Sequence, residues 1–401
     1  MTDPIRSDVL PFESSKAGFV INPTTKANLA AHGHDHRLDF ARGIANWFIF
    51  LDHIPNNVVN LLTLRNFGFS GAAELFVFTT GYAAAVVYGR MTLERGFVVT
   101  ATRIIKRVWQ LYAAYVVLFV VYISTVGNMA AQYAIADLID EYNIAGIVDQ
   151  PDRILMHGLT LQSQLPHLDA LQLFIALMAF FPLALASLLR WPNLTLIGSF
   201  ALYLAARTFD WSVSSFPDGR WYFNPFCWQL MFVLGAWFAL GGAKSTRSIQ
   251  HWPMLRIAAL AFLLFAMLVT VAGQVPWLGK LVPDFLLFPF TPNDRENLAP
   301  YRVVHFLLLA FLFARLVPPD WPGFHWKLLQ PIVKCGEETL AAFCAGVFLS
   351  FFGHFVLITG PNSLAMQVLV STAGIAMMTA VAYYVSWSKR QDHKSALGAH
   401  A

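Results

Sequence analysis

The chain has 401 residues, of which 57% are hydrophobic and only 12% charged, with a mean hydropathy of +0.55. Soluble domains carry about 25% charged residues, and half of that cannot coat a globule of this size; an ordinary cytosolic enzyme, a disordered chain and a disulfide-stapled secreted scaffold are all excluded. The net charge of +4, from 27 basic and 23 acidic residues, is too balanced for a nucleic-acid binder, and Cys227, Cys335 and Cys344 lie in or beside apolar runs, where they read as core-filling thiols.

Residues 1–36 are polar and hold no basic segment followed by a short apolar core and a small-residue cleavage site, so they read as a cytoplasmic tail rather than a removable signal. Apolar runs of about 20 residues then predict ten helices, near 43–63, 69–89, 108–127, 168–189, 193–208, 222–242, 255–273, 302–317, 338–358 and 364–386. The Pro-interrupted Leu281–Phe290 reads as an interfacial or re-entrant segment. With the N-terminus inside, 20 of the 27 basic residues fall in inner segments, while 11 of the 23 acidic residues fall outside, among them Asp137, Asp140, Glu141, Asp149 and Asp152 in the 128–167 loop. The expected fold is therefore an all-α polytopic membrane bundle of about ten spans with both termini inside. It divides into the 1–36 tail, one transmembrane domain over 37–388 and a short 389–401 tail, without repeats or linkers.

Ionisable groups inside a span cost at least about 2.5–3.5 kcal/mol at the bilayer centre, so each asks for a partner or a role. The first span is densest: Asp39, Arg42, Asn46, then Asp52, His53, Asn56 and Asn57. Arg42 and His53 are eleven positions apart, which at 100° per residue returns to within about 20° of the same face and places His53 roughly 16 Å further along. Asp39, Asn46 and Asn57 follow that polar stripe, and Pro55 is expected to bend the helix beside it. Glu74, near the outer end of the second span, reaches the depth of His53, so that it or Asp52 is placed to orient the imidazole as a general base. A basic inner cluster follows, Arg90, Arg95, Arg103, Lys106 and Arg107, with Arg103 and Arg107 on one face before the aromatic Trp109, Tyr112 and Tyr115; it suits a phosphate-bearing ligand or anionic headgroups.

Arg302 with His305, and His354, are expected to line the outer cavity, with His157 and His167 beside the outer loop. His32, His34 and His36 form an HxHxH run read as part of the solvated tail, and no metal is expected. HExxH, paired CxxC, Walker, GxGxxG and GxSxG motifs are absent from the sequence. These features suit an enzyme acting across the membrane; a secondary transporter or flippase for an anionic or glycosidic substrate is the competing reading, since intramembrane charge and Pro-broken helices also mark transport paths.

Several stretches resemble a known family. Arg37–Gly43 with His53, Gly71–Tyr82, and Arg103–Tyr112 are similar to the first, second and third helices of acyltransferase-3 membrane acyltransferases. Trp221–Leu230, Asn297–Phe306 and Cys335–Gly346 resemble the OpgC branch, which modifies osmoregulated periplasmic glucans, and the likeness spans about residues 36–358. The resemblance implies a multi-pass enzyme of the bacterial inner membrane that takes an acyl group, succinyl in this branch, from cytoplasmic acyl-CoA to glucan hydroxyls. By position, Arg42 and His53 match the first-helix arginine and catalytic histidine, and Glu74 the second-helix acid; Thr79-Thr80 replaces the Ser-Gly of many relatives, and no role is carried over to it. On this reading Arg42, Arg37, Arg103, Lys106 and Arg107 hold the CoA phosphates, His53 with Asp52 or Glu74 deprotonates the acceptor, and Asn56, Asn57 and Arg302 are candidate oxyanion donors, with His305 in the substrate-binding wall.

Overall fold

The computed structural model describes residues 19–31, 33–133, 151–162, 165, 168–216, 219–246, 248 and 251–398. Asp137, Asp140, Glu141, Asp149, His32 and His167 lie outside the described residues. Helices dominate what is described: α1 (Pro23–Ala31), α2 (His36–Asp52), α3 (Ala72–Arg95), α4 (Phe97–Tyr133), α5 (Pro151–Leu159), α6 (Asp169–Arg190), α7 (Pro192–Thr208) and α8 (Pro225–Trp237), then α9 (Pro253–Gln274), α10 (Pro300–Leu316), α11 (Gln330–Glu337), α12 (Thr339–Thr359) and α13 (Leu364–Gly398). Among the described residues the one β contact is an isolated bridge between Ser214 and Arg220.

Among the described residues, seven helices are long and apolar enough to cross a membrane: α3, α4, α6, α8 with its continuation to Ser245, α9, α12 and α13. The other three expected spans form helices of 17 residues each, α2, α7 and α10. At about 1.5 Å per residue they reach about 25 Å, short of the roughly 30 Å hydrocarbon core. Leu281–Phe290 folds as the single turns Asp284–Leu287 and Phe288–Phe290, whose Phe285 and Phe288 are exposed.

The first span departs most from its expected bounds of 43–63. Its helix begins at His36, where Asp35 accepts a hydrogen bond from the Arg37 amide, and ends at Asp52 with His53 as C-cap. Pro55 has no N–H to donate and disfavours helical backbone at the residue before it; Asn56 then turns the chain at φ +56°. The path continues as 3-10 turns at Val58–Leu62 and Leu64–Asn66. Asn57 therefore leaves the helical stripe: it caps the first of these turns, and its amide donates to Ser371 Oγ on α13 at 2.9 Å.

Close backbone crossings fix the helices that carry the polar groups. A Cβ on Gly81 of α3 would meet the Phe232 carbonyl oxygen at 2.1 Å, and one on Gly235 of α8 would meet that of Phe78 at 2.1 Å. Such small-residue contacts let two helices approach where lipid offers no hydrophobic drive to pair them. The same device joins α2 to α11, where Gly336 lies against the Asp39 carbonyl and Gly43 against that of Ile332. The stripe of α2 and the N-terminus of α3 are thus held by backbone on backbone, while the outer faces of α9 and α13 turn Ile257, Leu260, Leu264, Leu369 and Tyr384 outward as exposed apolar surface.

Candidate active site

Two cavities lie along α2 and α3, an outer one at the His53 end of α2 and an inner one at its Arg42 end, outer and inner being directions along α2 alone. The outer one, about 250 Å³, is lined by Asp52, His53, Arg65, Glu74, Asp169 and Arg295, together with the aromatic Tyr222 and Phe223. The inner one, about 230 Å³, is lined by Arg42, Thr80, Tyr88, Arg107 and Thr339. Arg42 and His53, one face and eleven residues apart, thus open into different cavities.

His53 sits where α2 stops, so its backbone is free to turn its ring toward the outer cavity. Its Nδ1 lies 2.6 Å from the Ile49 carbonyl oxygen. A carbonyl can only accept, so Nδ1 carries the proton and the neutral ring keeps its lone pair on Nε2, the arrangement a general base needs. The orienting partner at Nδ1 is thus main chain. The two carboxylates considered for that task have other bonds: Asp52 Oδ1 accepts from Thr63 Oγ1 at 2.6 Å and pairs with Arg65 Nε at 3.1 Å, while Glu74 accepts from Arg302 Nε at 2.7 Å and from the Gly71 amide at 2.9 Å.

Glu74, in the cavity wall, and Arg302 behind it form a fully buried ion pair, with side-chain exposures of 0% and 2%. Arg302 Nη1 also donates to Asn293 Oδ1 at 2.8 Å, and Asn293 donates in turn to the Phe69 carbonyl. His305 lies beside them, its Nδ1 2.7 Å from Ser70 Oγ and its other nitrogen packed on Gly68. Arg302 and His305 therefore brace the α3 N-terminus from α10 and do not reach the outer cavity. Asn56 is exposed and Asn57 is tied to α13. His354 is buried in α12, and His157 is stacked on Phe216 at 4.1 Å; neither lines the cavity.

On the inner side, Arg42 pairs with Asp39 and Arg107 donates to Gln110. Arg103 and Lys106 are exposed one turn away, outside the inner cavity. Arg37 is held by Asp35 and by the Ala314 and Val317 carbonyls at the end of α10. His34 and His36 are ordered against Asp39: the donor atoms of the three lie within 4.8 Å of one another, and His36 packs on His325. Asp39 is shared there with the Arg42 guanidinium, which competes with any cation for the carboxylate.

Sequence reading missed three groups of the outer cavity, Asp169, Arg65 and Arg295, together with the aromatic Tyr222 and Phe223. Nothing in the local pattern of Asp169 or Arg295 brings α6 and the 291–299 segment to α2. Of the charges in this cavity, Asp52 is matched by Arg65 and Glu74 by Arg302, while Asp169 and Arg295 enter no ion pair among the described residues. The cavity so combines the His53 imidazole, the Arg295 guanidinium, which has no ion pair among the described residues, and the N-terminal turn of α3, where Ala72 and Ala73 stand in the wall and the helix presents its positive end. Such a set can deprotonate a hydroxyl and hold an anion.

The sequence model of one protein family, described as OpgC protein, matches residues 34–390. No curated protein and no solved structure matches the chain. A match over nearly the whole length, on a helical bundle with membrane-length apolar helices, shows the family: the chain belongs to the OpgC family, which implies a transferase with a membrane-acyltransferase-like role.

Proposed function

We propose that this protein moves an acyl group, succinyl, from cytoplasmic acyl-CoA to hydroxyls of a periplasmic glucan, from a ten-span position in the bacterial inner membrane with both termini in the cytoplasm. The observation that carries this reading is the placement of Arg42 and His53 on one helix in two different cavities: the phosphates of a donor and the hydroxyl of an acceptor need opposite ends of such a path. Arg42 and Arg107 bind the phosphates at the inner end, and the exposed Arg103 and Lys106 raise their local concentration.

At the outer end His53 Nε2 takes the proton of an acceptor hydroxyl as its oxygen attacks the thioester carbonyl. The developing oxyanion faces the first-turn amides of α3. Collapse breaks the carbon–sulfur bond, the imidazolium returns its proton to the thiolate, and an ester and free CoA thiol result. Tyr222 and Phe223 offer apolar faces to a sugar ring in the outer cavity. The test is reconstitution of the full chain in proteoliposomes with succinyl-CoA on the inner-cavity side and a glucan oligosaccharide on the other. Oligosaccharide heavier by a succinyl unit is expected by mass spectrometry; donor or glycan crossing the membrane unmodified would overturn the reading in favour of transport.

Arg295 supports an acidic acyl group, since its guanidinium enters no ion pair among the described residues and lines the chamber that receives the acyl group. A charge-assisted hydrogen bond contributes about 1.5–3 kcal/mol. Arg295→Gln is therefore expected to lower succinyl transfer by about 10- to 100-fold while leaving butyryl transfer nearly unchanged, measured with the two donors in parallel. An equal fall with both donors would remove Arg295 from acyl recognition.

A further inference from the structure

We propose that Phe76 and Phe174 form an aromatic gate between the two cavities, and that this gate selects donors whose reacting end is carried on a thin, unbranched, flexible arm. The proposal rests on the acyl-transfer reading and adds to it the residues that decide what crosses.

The two cavities share two lining residues, Phe76 and Phe174, and no others. Along both helices that carry these rings, the outer cavity gives way to the inner one around the ring. On α3, Glu74 and Val77 belong to the outer cavity, Phe76 to both and Thr80 to the inner one; on α6, Asp169 and Leu173 belong to the outer cavity, Phe174 to both and Met178 to the inner one, with Leu171, on the Met178 face of the helix, also lining the inner cavity. From Glu74 to Thr80 the rise is about 9 Å, so the rings occupy the middle of one continuous course. Their centroids are 4.9 Å apart with planes at 70°, an edge-to-face contact, and both rings are buried. Phe343 of α12 stands 5.8 Å from Phe76 on the inner side and lines only the inner cavity.

Without the rings, the cavities would join into one passage from Arg42 to His53, charged at its two ends and open to water and ions between them. A constriction of apolar rings sheds water and blocks ions even where the backbone leaves room. The closure is also weak. An edge-to-face pair adds about 0.5–1.5 kcal/mol beyond its burial, so swinging one ring aside costs little once an arm replaces the contact. The gap left by one ring takes the cross-section of a methylene and amide chain. It does not take a pyranose or a nucleotide. The gate therefore keeps the phosphorylated head of a donor inside and the sugar acceptor outside, and passes only the thioester on its arm.

The test uses the full-length protein in proteoliposomes. A cysteine replaces Thr80 in the inner cavity, and a small charged methanethiosulfonate is applied from whichever side labels a cysteine placed at the exposed Asn56. The unsubstituted chain, with Cys227, Cys335 and Cys344, sets the background. Slow labelling of Thr80→Cys is expected while both rings are present, with a rise of about tenfold or more when Phe174→Ala or Phe76→Ala is added. Fast labelling with both rings in place, or no rise with either alanine, would overturn the gate. Phe174→Trp is the second variant: labelling of Thr80→Cys is expected to stay slow while acyl transfer falls about tenfold, a barrier rise of about 1.4 kcal/mol. Undiminished transfer through the larger ring would also overturn the proposal. Should the unsubstituted chain transfer no acyl group while the labelling pattern holds, the acyl-transfer reading falls and the gate stands.

Discussion

Replacing His53 by alanine is expected to reduce acyl transfer by about 10²- to 10⁴-fold, the usual contribution of a positioned general base, while the protein still inserts and unfolds near its normal temperature. The two halves of this expectation come from one structural fact. His53 is the C-cap of α2 and lies in a cavity wall rather than in the packed core, so truncation removes little buried surface. Its hydrogen bond to the Ile49 carbonyl is worth about 0.5–1.5 kcal/mol, and that carbonyl also receives the His53 backbone amide, which alanine retains. A glutamine at the same position would keep polarity and lose the proton-accepting nitrogen, and is expected to be as inactive as alanine. The measurement pairs transfer rate with thermal unfolding in detergent. Full transfer by a well-folded His53→Ala protein would remove the base from the mechanism, and with it the reason to assign the outer cavity to the acceptor.

The membrane bundle was legible in the sequence because lipid imposes a crude rule: about 20 apolar residues, few charges, and basic segments on one side. The same rule could not show where α2 ends. Its apolar run continues past Asp52, yet Pro55 and the positive φ of Asn56 stop the helix and take Asn57 off the polar stripe onto α13. His53 was found because the 3.6-residue period relates it to Arg42 along a single helix. Arg295 and Asp169 were not, because they meet His53 only through contacts more than a hundred residues away in sequence, which no local period records. Glu74 does line one cavity with His53, but depth is one coordinate. The partner that uses Glu74 is Arg302, 228 positions on, and no spacing argument reaches across three-fifths of a chain. The HxHxH run shows the opposite failing: a polar composition suggested a solvated tail, whereas His36 opens α2 and packs on His325.

Separating Glu74 from Arg302 is expected to destabilise the protein more than any single change inside either cavity. Both side chains are excluded from solvent, so Glu74→Ala strands a buried guanidinium and Arg302→Ala strands a buried carboxylate; removing one member of such a pair costs about 3–5 kcal/mol. Each single variant should show a strongly lowered unfolding temperature in detergent and poor recovery from membranes. The double variant Glu74→Leu/Arg302→Leu should regain most of the loss, since an apolar pair of similar volume strands no charge, and replacing a buried ion pair in this way is often neutral or stabilising. What this double variant does to transfer then assigns the role of Glu74. Its carboxylate receives the Gly71 amide and holds Arg302 against the turn that starts α3, so its effect on chemistry runs through the position of that turn and of Ala72 and Ala73 in the wall. A stable double variant that transfers slowly, with an unchanged KM for the donor and a pH profile still set by His53, identifies Glu74 as a positioning residue. Single variants as stable as the parent would show instead that the pair contributes nothing to the fold, and would return Glu74 to consideration as a group that meets the substrate.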